Sequence, residues 1–344
     1  MLALRSTLVI DALDSVALNA APRSAADAVT IDLASPMAHG NRTKARDNAA
    51  AAILAIASTG RSVHVRVSDA RSGQLEGDLD AIISAGVAAR PAAIVLSGTE
   101  APQDARDADV AIRKREMRAG IDPGSIRLIP EIDSAEGLGH LVRILNAVDR
   151  HSAVALSIDG LRDDMRLGDR AGTLYDHAMA DLAVAAHTTR LPWIVATTHH
   201  RPETSTLPQR AHDFGASGAT VRDEDDVAAM NALFTPDPIE VAVARATLDE
   251  WDAVRARDEW VGVVAGEMPE AATYDRLVDR LTVRRRRRLI AVHGQLVLQV
   301  EELSLELDKG AGRFRVGIYD HVTFASVDHH GIAGLDLPQD AFDA

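Results

Sequence analysis

The chain has 344 residues and a formal net charge of −14, and 47% of its residues are hydrophobic while only 3% are aromatic. This length predicts one large α/β domain with appendages, or two ordinary domains. The absence of cysteine excludes disulfides, zinc thiolates and a cysteine nucleophile, and the acidic balance argues against general nucleic-acid binding. The N-terminus has no signal-peptide pattern and no apolar run reaches the ~20 residues that span a bilayer, so a cytoplasmic protein without membrane contact is expected.

Short β-rich segments alternate with Ala-rich helical segments over the first two thirds of the chain, as is typical of parallel βα units. Eight such repeats predict a TIM (β/α)8 barrel over residues 1–235. A doubly wound open sheet is the alternative, although no Gly-rich phosphate fingerprint follows the first strand. The predicted strands are Ser6–Ile10, Ala28–Leu33, Ser62–Val67, Ala92–Gly98, Arg127–Ile132, Ala153–Ile158, Pro192–Thr198 and Gly218–Val221.

The sequence changes character after residue 235. A Pro-containing segment leads into a strongly periodic helix and then an Arg-rich one, which predicts a C-terminal helical arm over residues 236–292. The run Arg284–Arg288 has leucines at near-helical spacing and no interleaved aromatic residues. A solvated or subunit-facing helix side is therefore favoured over a nucleic-acid patch. Period-two alternation around a Gly-containing turn predicts a short β-hairpin tail within residues 293–344.

One arginine stands inside an apolar predicted strand. Arg66 lies in "VHVRV", where an unpaired buried guanidinium would be very costly. Because a guanidinium matches a carboxylate with two parallel hydrogen bonds, we predict that Arg66 clamps a substrate carboxylate. A structural salt bridge to Asp32 is the alternative.

Several carboxylates follow the fifth and sixth predicted strands, at the end where TIM barrels place their chemistry. Asp133 and Asp163 are the candidate metal ligands, and oxygen donors favour a hard cation such as Mg²⁺, or Mn²⁺. The alternative role of Asp133 is to cap the helix that starts at Ser134. Asp159 is expected inside the mouth of the barrel, and Asp164 in solvent.

A series of segments in this order resembles the HpcH/HpaI aldolase and citrate lyase β-subunit superfamily. They are "LRS-L", "VRV", "LIPEIDSAEGL", "NALFTPDPIEVAVARATLDEW" and "RLVDRLTVRRRRRLI", between about Arg5 and Ala291. The resemblance implies a TIM-barrel enzyme that cleaves or forms carbon–carbon bonds in CoA esters or related acids. It also implies a homotrimer or homohexamer.

The resemblance implies roles for individual residues. The family's metal-binding Glu falls on Asp133, and its G-x-x-D ligand motif matches Gly160–Asp163 if the loop shifts by one residue. Without the shift, Arg162 takes the ligand position. Arg5 matches the arginine of the family's first strand and is expected to contact substrate, while Arg42 opens a helix start similar to the family's K-x-x-A-R, the only hint of CoA phosphate binding.

Asp279, in "RLVD", matches an Asp that in the family reaches a neighbouring subunit's site and acts in acid/base chemistry; a helix N-cap is the alternative. Other positions depart from the family. Strand two ends in Ala34 and Ser35 where the family has two acids, the lysine after strand four is absent from "LSGTE", and the "I-H-P" after strand eight falls on "RDE".

The leading hypothesis is a metal-dependent carbon–carbon lyase that cleaves a hydroxy acid or hydroxyacyl-CoA, with Mg²⁺ stabilising the enolate. In this hypothesis Arg66 anchors a carboxylate, and Asp279 or a nearby water moves the proton. The alternative, motivated by the altered positions, is a catalytically silent barrel that serves as a ligand-binding or assembly subunit. Both hypotheses expect a small anionic ligand and a homo-oligomer.

Overall fold

The structure, a computed structural model, describes residues 4–36, 39–83, 90–168, 172–196, 206–236, 305–308 and 313–316. Its main feature is a closed barrel of eight parallel strands, in which β1 pairs with both β2 and β8. This closure confirms the predicted TIM (β/α)8 barrel, because an open doubly wound sheet would leave two edge strands with one neighbour each. The strands are β1 Ser6–Asp11, β2 Ala28–Asp32, β3 Ser62–Val67, β4 Ala93–Leu96, β5 Arg127–Ile132, β6 Val154–Ser157, β7 Trp193–Ala196 and β8 Gly218–Val221.

Helices surround the barrel and connect its strands. The longest of those described, α4, begins where the Asp104 carboxylate accepts from the backbone N–H of Ala101 at 2.9 Å. It ends at Gly120, whose φ of 70° is the left-handed conformation of a helix C-cap. The described helices are α1 Ser15–Ala20, α2 Arg42–Ala57, α3 Leu75–Ile82, α4 Pro102–Ala119, α5 Ala135–Gly139, α6 Leu141–Leu145, α7 Ile158–Asp164, α8 Gly172–Thr188, α9 Leu207–Asp213 and α10 Glu224–Leu233.

The main core lies between the strands and the helices. Strands β2, β4, β6 and β7 are buried along their whole length, which is why they appear in the sequence as nearly continuous apolar runs. Small residues let the helices approach closely; α2 buries Ala45, Ala49 and Ala52 beside Ile53 and Ile56. Burying aliphatic side chains at ~25 cal/mol per Å² of apolar surface is the main stabilising contribution to such a barrel.

The chain divides into two compact units, Met1–Thr235 and Pro236–Ala344. In the second unit the structure describes β9, Leu305–Asp308, and β10, Arg313–Val316, which pair antiparallel. They lie in the segment for which a hairpin tail is predicted. The predicted helical arm lies outside the described residues. Among the helices that the structure describes, none is long and apolar enough to cross a membrane.

Candidate active site at the barrel mouth

All eight barrel strands are parallel, so their carboxyl ends meet at one rim of the barrel, which we call the mouth. Strand β3 delivers Arg66 to this rim. Alternation along the strand places His64 and Arg66 on the inner side, and both line the cavity on the barrel axis. The sequence therefore folds a charged side chain into the centre of an apolar sheet.

The Arg66 guanidinium has three charged contacts. Its Nε donates to Oε2 of Glu131 at 2.7 Å and its Nη2 to Oε1 at 2.8 Å, while its Nη1 donates to Oδ1 of Asp32 at 3.1 Å. Burial alone would lower the pKa of Arg66, but Glu131 and Asp32 outweigh burial and raise that pKa well above its ordinary value. The salt bridge to Asp32 is present, and Glu131, which follows the same inward alternation on β5, adds a bidentate pair.

Asp32, at the end of β2, lies opposite Arg66 in the strand register. Its carboxylate accepts from the backbone N–H groups of Ala34 at 2.9 Å and Ser35 at 3.2 Å, and from the Ser35 hydroxyl at 2.6 Å. Arg222, just after β8, adds a contact from Nη2 to Oδ2 at 3.4 Å. Burial raises the pKa of Asp32, but Arg66, the Ser35 hydroxyl and Arg222 outweigh burial and hold the pKa below its ordinary value.

Asp133 follows β5 and has a different environment. Its Oδ2 accepts from the backbone N–H of Gly98 at 3.0 Å, and the described residues give it no ion pair. Burial, together with the negative charge of Glu131, raises the pKa of Asp133 from 3.8 to about 6, although the Gly98 N–H and Arg66 oppose the rise. Asp133 is thus the carboxyl at the mouth that most lacks compensating positive charge.

The backbone around Asp133 is fixed by two short helices. Ser134, and not Asp133, is the N-cap of α5, with its hydroxyl accepting from the N–H of Gly137 at 3.2 Å. Ser157 caps α7 in the same way, accepting from Gly160 at 3.2 Å. A Cβ at Gly160 would lie 2.5 Å from the Cβ of Asp133, so only glycine lets these two segments pack at this distance.

The predicted pairing of Asp133 with Asp163 has little support in this geometry. Asp163 lies in the last turn of α7 with its side chain 75% exposed, 3.5 Å from Nη2 of its neighbour Arg162. Asp159, in the first turn of the same helix, is only 5% exposed. Asp159 directly precedes Gly160, which packs on Asp133, so it is a candidate for a second carboxylate beside Asp133.

Asp164 has a contact in addition to its expected exposure to solvent. Its side chain is exposed, but Oδ2 accepts from the backbone N–H of Ala135 at 2.8 Å, at the start of α5. The side chain thus lies in solvent, as expected, but through this hydrogen bond it also joins α7 to α5. Since both helices follow strands that deliver carboxylates to the mouth, the contact helps to position them.

The two other predicted substrate-binding arginines have internal partners. Arg5 lies before β1, at the opposite end of the barrel from the mouth, with Nε and Nη2 on the Asp27 carboxylate at 2.9 and 2.7 Å. This position removes Arg5 from the candidate site. Arg42 lies at the mouth end of β2, at the start of α2, and donates to the Ser68 hydroxyl and, at 3.0 Å, to Asp78. Asp78 also binds Arg46 at 2.9 Å, so it is a buried carboxylate between two guanidinium groups.

Below the mouth, the barrel axis holds a small cavity whose lining is mainly apolar but includes several polar side chains. It has a volume of about 30 Å³ and its lining includes His64, Arg66, Glu131 and Arg222. Burial lowers the pKa of His64 to about 4, so its imidazole is neutral at physiological pH. The Thr7 hydroxyl, also on the lining, is buried without a hydrogen-bond partner among the described residues. The space, with these polar groups on its lining, suits about two water molecules.

The described residues contain no group of three or more Asp, Glu or His side chains arranged to hold a metal ion. Mg²⁺ does not require such a group, because it binds through one or two carboxylates and keeps several waters. Asp133, a hard oxygen donor surrounded by negative charge, fits this mode of binding. Asp279 lies outside the described residues.

Sequence reasoning missed two contributors to the site. Glu131 was not assigned a role, although it lies two residues before Asp133 and strand alternation therefore places both side chains on the same, inward side. Arg222 was considered only as a departure from the family pattern. A charged residue directly after an apolar strand of a predicted barrel was the available signal, the same one that identified Asp133.

Comparisons with known proteins find one matching family and several solved structures of the same fold. The sequence profile of the HpcH/HpaI aldolase/citrate lyase family matches residues 5–223. Citrate lyase subunit beta of Escherichia coli is 26% identical over 219 residues, which are 62% of this chain and 70% of that protein. A citrate lyase structure from Burkholderia xenovorans has a TM-score of 0.67 at 16% identity, covering 86% of this chain and 93% of that one. CitE from Mycobacterium tuberculosis, in complex with magnesium, acetoacetate and coenzyme A, has a TM-score of 0.55 at 17% identity, covering 84% and 100%.

Proposed function

The chain belongs to the HpcH/HpaI aldolase/citrate lyase family, and from this premise we propose that it is a carbon–carbon lyase acting on a small hydroxy acid or its CoA ester with Mg²⁺, or Mn²⁺. The observation that carries the proposal is the environment of Asp133. Its carboxyl lies at the mouth with a pKa raised to about 6 by burial and by the charge of Glu131. A cation bound there would supply the positive charge that the described residues do not.

The proposed metal ligands are Asp133 and, in place of Asp163, Asp159. Asp159 is favoured by its burial and by the packing of Gly160 against Asp133. The remaining positions would be filled by water and by substrate oxygens. When bound, Mg²⁺ would act as a Lewis acid that stabilises the negative charge developing on the substrate during bond cleavage.

The ion pairs beside Asp133 have a positioning role in this proposal. The bidentate Arg66–Glu131 pair holds both side chains in one geometry, and its contact with Asp32 extends that order to β2. A direct clamp by Arg66, as the sequence suggested, would have to use the N–H groups left on its Nη atoms or displace Glu131. Preorganised charges of this kind need no rearrangement during the reaction, which is the main electrostatic contribution to catalysis.

Proton transfer is assigned by this proposal to Asp279 or to a nearby water. The role of Asp279 rests on the resemblance in "RLVD", which implies action in a neighbouring subunit's site, so the proposal includes a homotrimer or homohexamer. Light scattering measures the assembly. A strictly monomeric enzyme with full activity would remove Asp279 from the mechanism.

Metal titration tests the proposal. Calorimetry with Mg²⁺ and Mn²⁺ at pH 8 should show binding to the wild-type protein, loss of binding in Asp133→Asn, and retention in Asp163→Asn. Because a proton competes with the cation for Asp133, affinity should fall by roughly tenfold per pH unit below about pH 6. The same preparations should then be assayed for metal-dependent release of pyruvate, glyoxylate or acetyl-CoA from hydroxy acids and hydroxyacyl-CoA esters.

A ligand-binding barrel without catalysis is the second candidate. It is favoured by the occupied hydrogen bonds of Arg66 and by Ala34 and Ser35, whose backbone N–H groups bind Asp32 where the family has acids. Metal binding at Asp133 with no turnover of any substrate class would favour this candidate. Absence of both metal binding and turnover would exclude the proposed lyase.

A further inference from the structure

We propose that Arg222 is the residue at the mouth that binds the carboxylate of the substrate. That the bound carboxylate belongs to a substrate rests on the proposed function. The existence of a carboxylate-binding site at Arg222 does not. It starts from Arg66, whose Nε and both Nη atoms already donate to Glu131 and Asp32 at 2.7 to 3.1 Å. A substrate carboxylate would therefore find the Nε–Nη2 edge of Arg66 occupied by Glu131 and its Nη1 engaged by Asp32, so that only the remaining N–H of each Nη is left to bind it.

Arg222 has free N–H groups that can bind a carboxylate. It follows β8, lines the same cavity as Arg66, and its side chain is 30% exposed, so it can be reached from solvent. Its Nε is buried and has no hydrogen-bond partner among the described residues. A buried donor left unpaired is costly. A carboxylate that pairs with Nε and an Nη of one guanidinium would satisfy this donor in the usual bidentate geometry, once the side chain turns to bring the buried Nε to the cavity.

The contact with Asp32 does not use up Arg222. That contact is a single one of 3.4 Å, longer than all three contacts of Arg66. Asp32 already accepts from Arg66, from the Ser35 hydroxyl and from two backbone N–H groups, and a carboxylate has about four lone-pair positions. Arg222 is therefore the weakest of five donors to Asp32, and that carboxylate serves to hold Arg222 in place.

The available space favours a carboxylate over a phosphate. The cavity beside Arg222 has a volume of about 30 Å³, which suits about two water molecules. The two oxygens of a carboxylate can replace two waters, whereas a phosphate group brings four oxygens around a tetrahedral centre. The fitting ligand class is thus a small acid whose carboxylate enters the mouth on the β8 side.

Binding of malonate to Arg222 variants tests this inference. Calorimetry should be performed on the full-length wild-type protein, Arg222→Gln and Arg222→Lys, both in a chelator and with saturating Mg²⁺. Arg222→Gln should weaken malonate binding by roughly tenfold or more, and Arg222→Lys by less, because it keeps the charge but not the bidentate edge. Arg113→Gln is the matched control, since Arg113 also lies 3.4 Å from a single carboxylate but on the exposed face of α4; it should bind malonate as the wild type does.

The outcomes separate this inference from the proposed function. An equal effect of Arg222→Gln with and without Mg²⁺ would support a carboxylate site that does not depend on the metal or on turnover, even if no lyase activity were found. Unchanged malonate affinity in Arg222→Gln, or no malonate binding by the wild type in either condition, would overturn the inference. Binding of inorganic phosphate in preference to malonate, lost in Arg222→Gln, would also overturn it by assigning Arg222 to a phosphate. Urea unfolding of each variant verifies that the fold is retained.

Discussion

Replacement of Asp133 by Asn should make the metal-free protein more stable at pH 8. The Asn amide oxygen can still accept the Gly98 N–H that now donates to Oδ2 at 3.0 Å, so the change removes a charge with little change of shape. Burial and the charge of Glu131 raise the pKa of Asp133 from 3.8 to about 6. Ionising such an acid costs the folded state about 3 kcal/mol relative to the unfolded chain. Because Asn must also be desolvated, we expect a gain of about 1–3 kcal/mol.

The dependence of this gain on pH follows from the same two pKa values. Between pH 3.8 and about 6 the folded state binds more protons at Asp133 than the unfolded state does. The contribution of Asp133 to stability therefore falls as the pH rises through this window, and it stays low above it. The gain from Asp133→Asn should be largest above pH 6, about half as large at pH 5, and absent well below pH 3.8.

Urea unfolding in a chelator, at pH 8 and at pH 5, measures the effect. Asp107→Asn on the exposed face of α4 is the control and should change stability by no more than about 0.5 kcal/mol. Saturating Mg²⁺ should stabilise the wild type and not Asp133→Asn, because only the wild type binds the cation in its folded state. A variant that is less stable than the wild type at pH 8, or a gain that is the same at both pH values, would refute the reasoning.

Three other substitutions test the packing and ion pairs of the site by urea unfolding. Glu131→Gln breaks a bidentate, buried ion pair and should cost about 3 kcal/mol or more; a loss below about 1 kcal/mol would show that water replaces the carboxylate. Gly160→Ala places a Cβ 2.5 Å from that of Asp133 and should cost about 1–3 kcal/mol, whereas Gly139→Ala, with no atom within 4 Å, should not. Asp164→Ala removes the acceptor of a backbone N–H at the start of α5 and should cost about 1 kcal/mol, not zero.

The barrel could be predicted because its strands are buried on both faces. Such strands appear as short runs of Val, Ile and Ala between helical segments, and each observed strand lies within two residues of its predicted bounds. The number of strand–helix repeats then predicts a closed sheet, since eight parallel strands complete a TIM barrel. The end of β6 was predicted one residue too long, because the apolar pattern continues into Ile158.

That error at β6 explains why Asp163 was predicted as a metal ligand. Ile158 continues the apolar run of "AVALSI", but β6 ends at Ser157, which caps α7. Since the helix starts one residue earlier than the strand pattern suggests, Asp159 falls in its buried first turn and Asp163 in its exposed last turn. Ser157 followed two residues later by Asp159 is a helix-start pattern that could have indicated this boundary.

The partner of Arg66 could not be identified from the sequence for a different reason. Strand alternation indicates which side chains point inward, but not which of several inward carboxylates lies within 3 Å. Arg66 lies opposite Asp32 in the register of adjacent strands, yet its bidentate partner Glu131 comes from β5, across the intervening strand β4. Such a contact depends on the stagger of the barrel and on the length of the Arg side chain.

The departures from the family pattern on β2 and β8 are parts of one rearrangement. Ala34 and Ser35 replace acids, and their N–H groups together with the Ser35 hydroxyl turn toward Asp32, which holds Arg222. This side of the mouth has thus lost negative charge and gained a guanidinium.

On the other side, β5 and β6 bring Asp133 and the buried Asp159, and the raised pKa of Asp133 shows an excess of negative charge there. Three strand positions separate β5 from β8 around the ring, so a hydroxy acid would lie across the mouth with its carboxylate toward Arg222 and its hydroxyl toward a cation on Asp133. The altered residues therefore fit a reoriented substrate better than a decayed site.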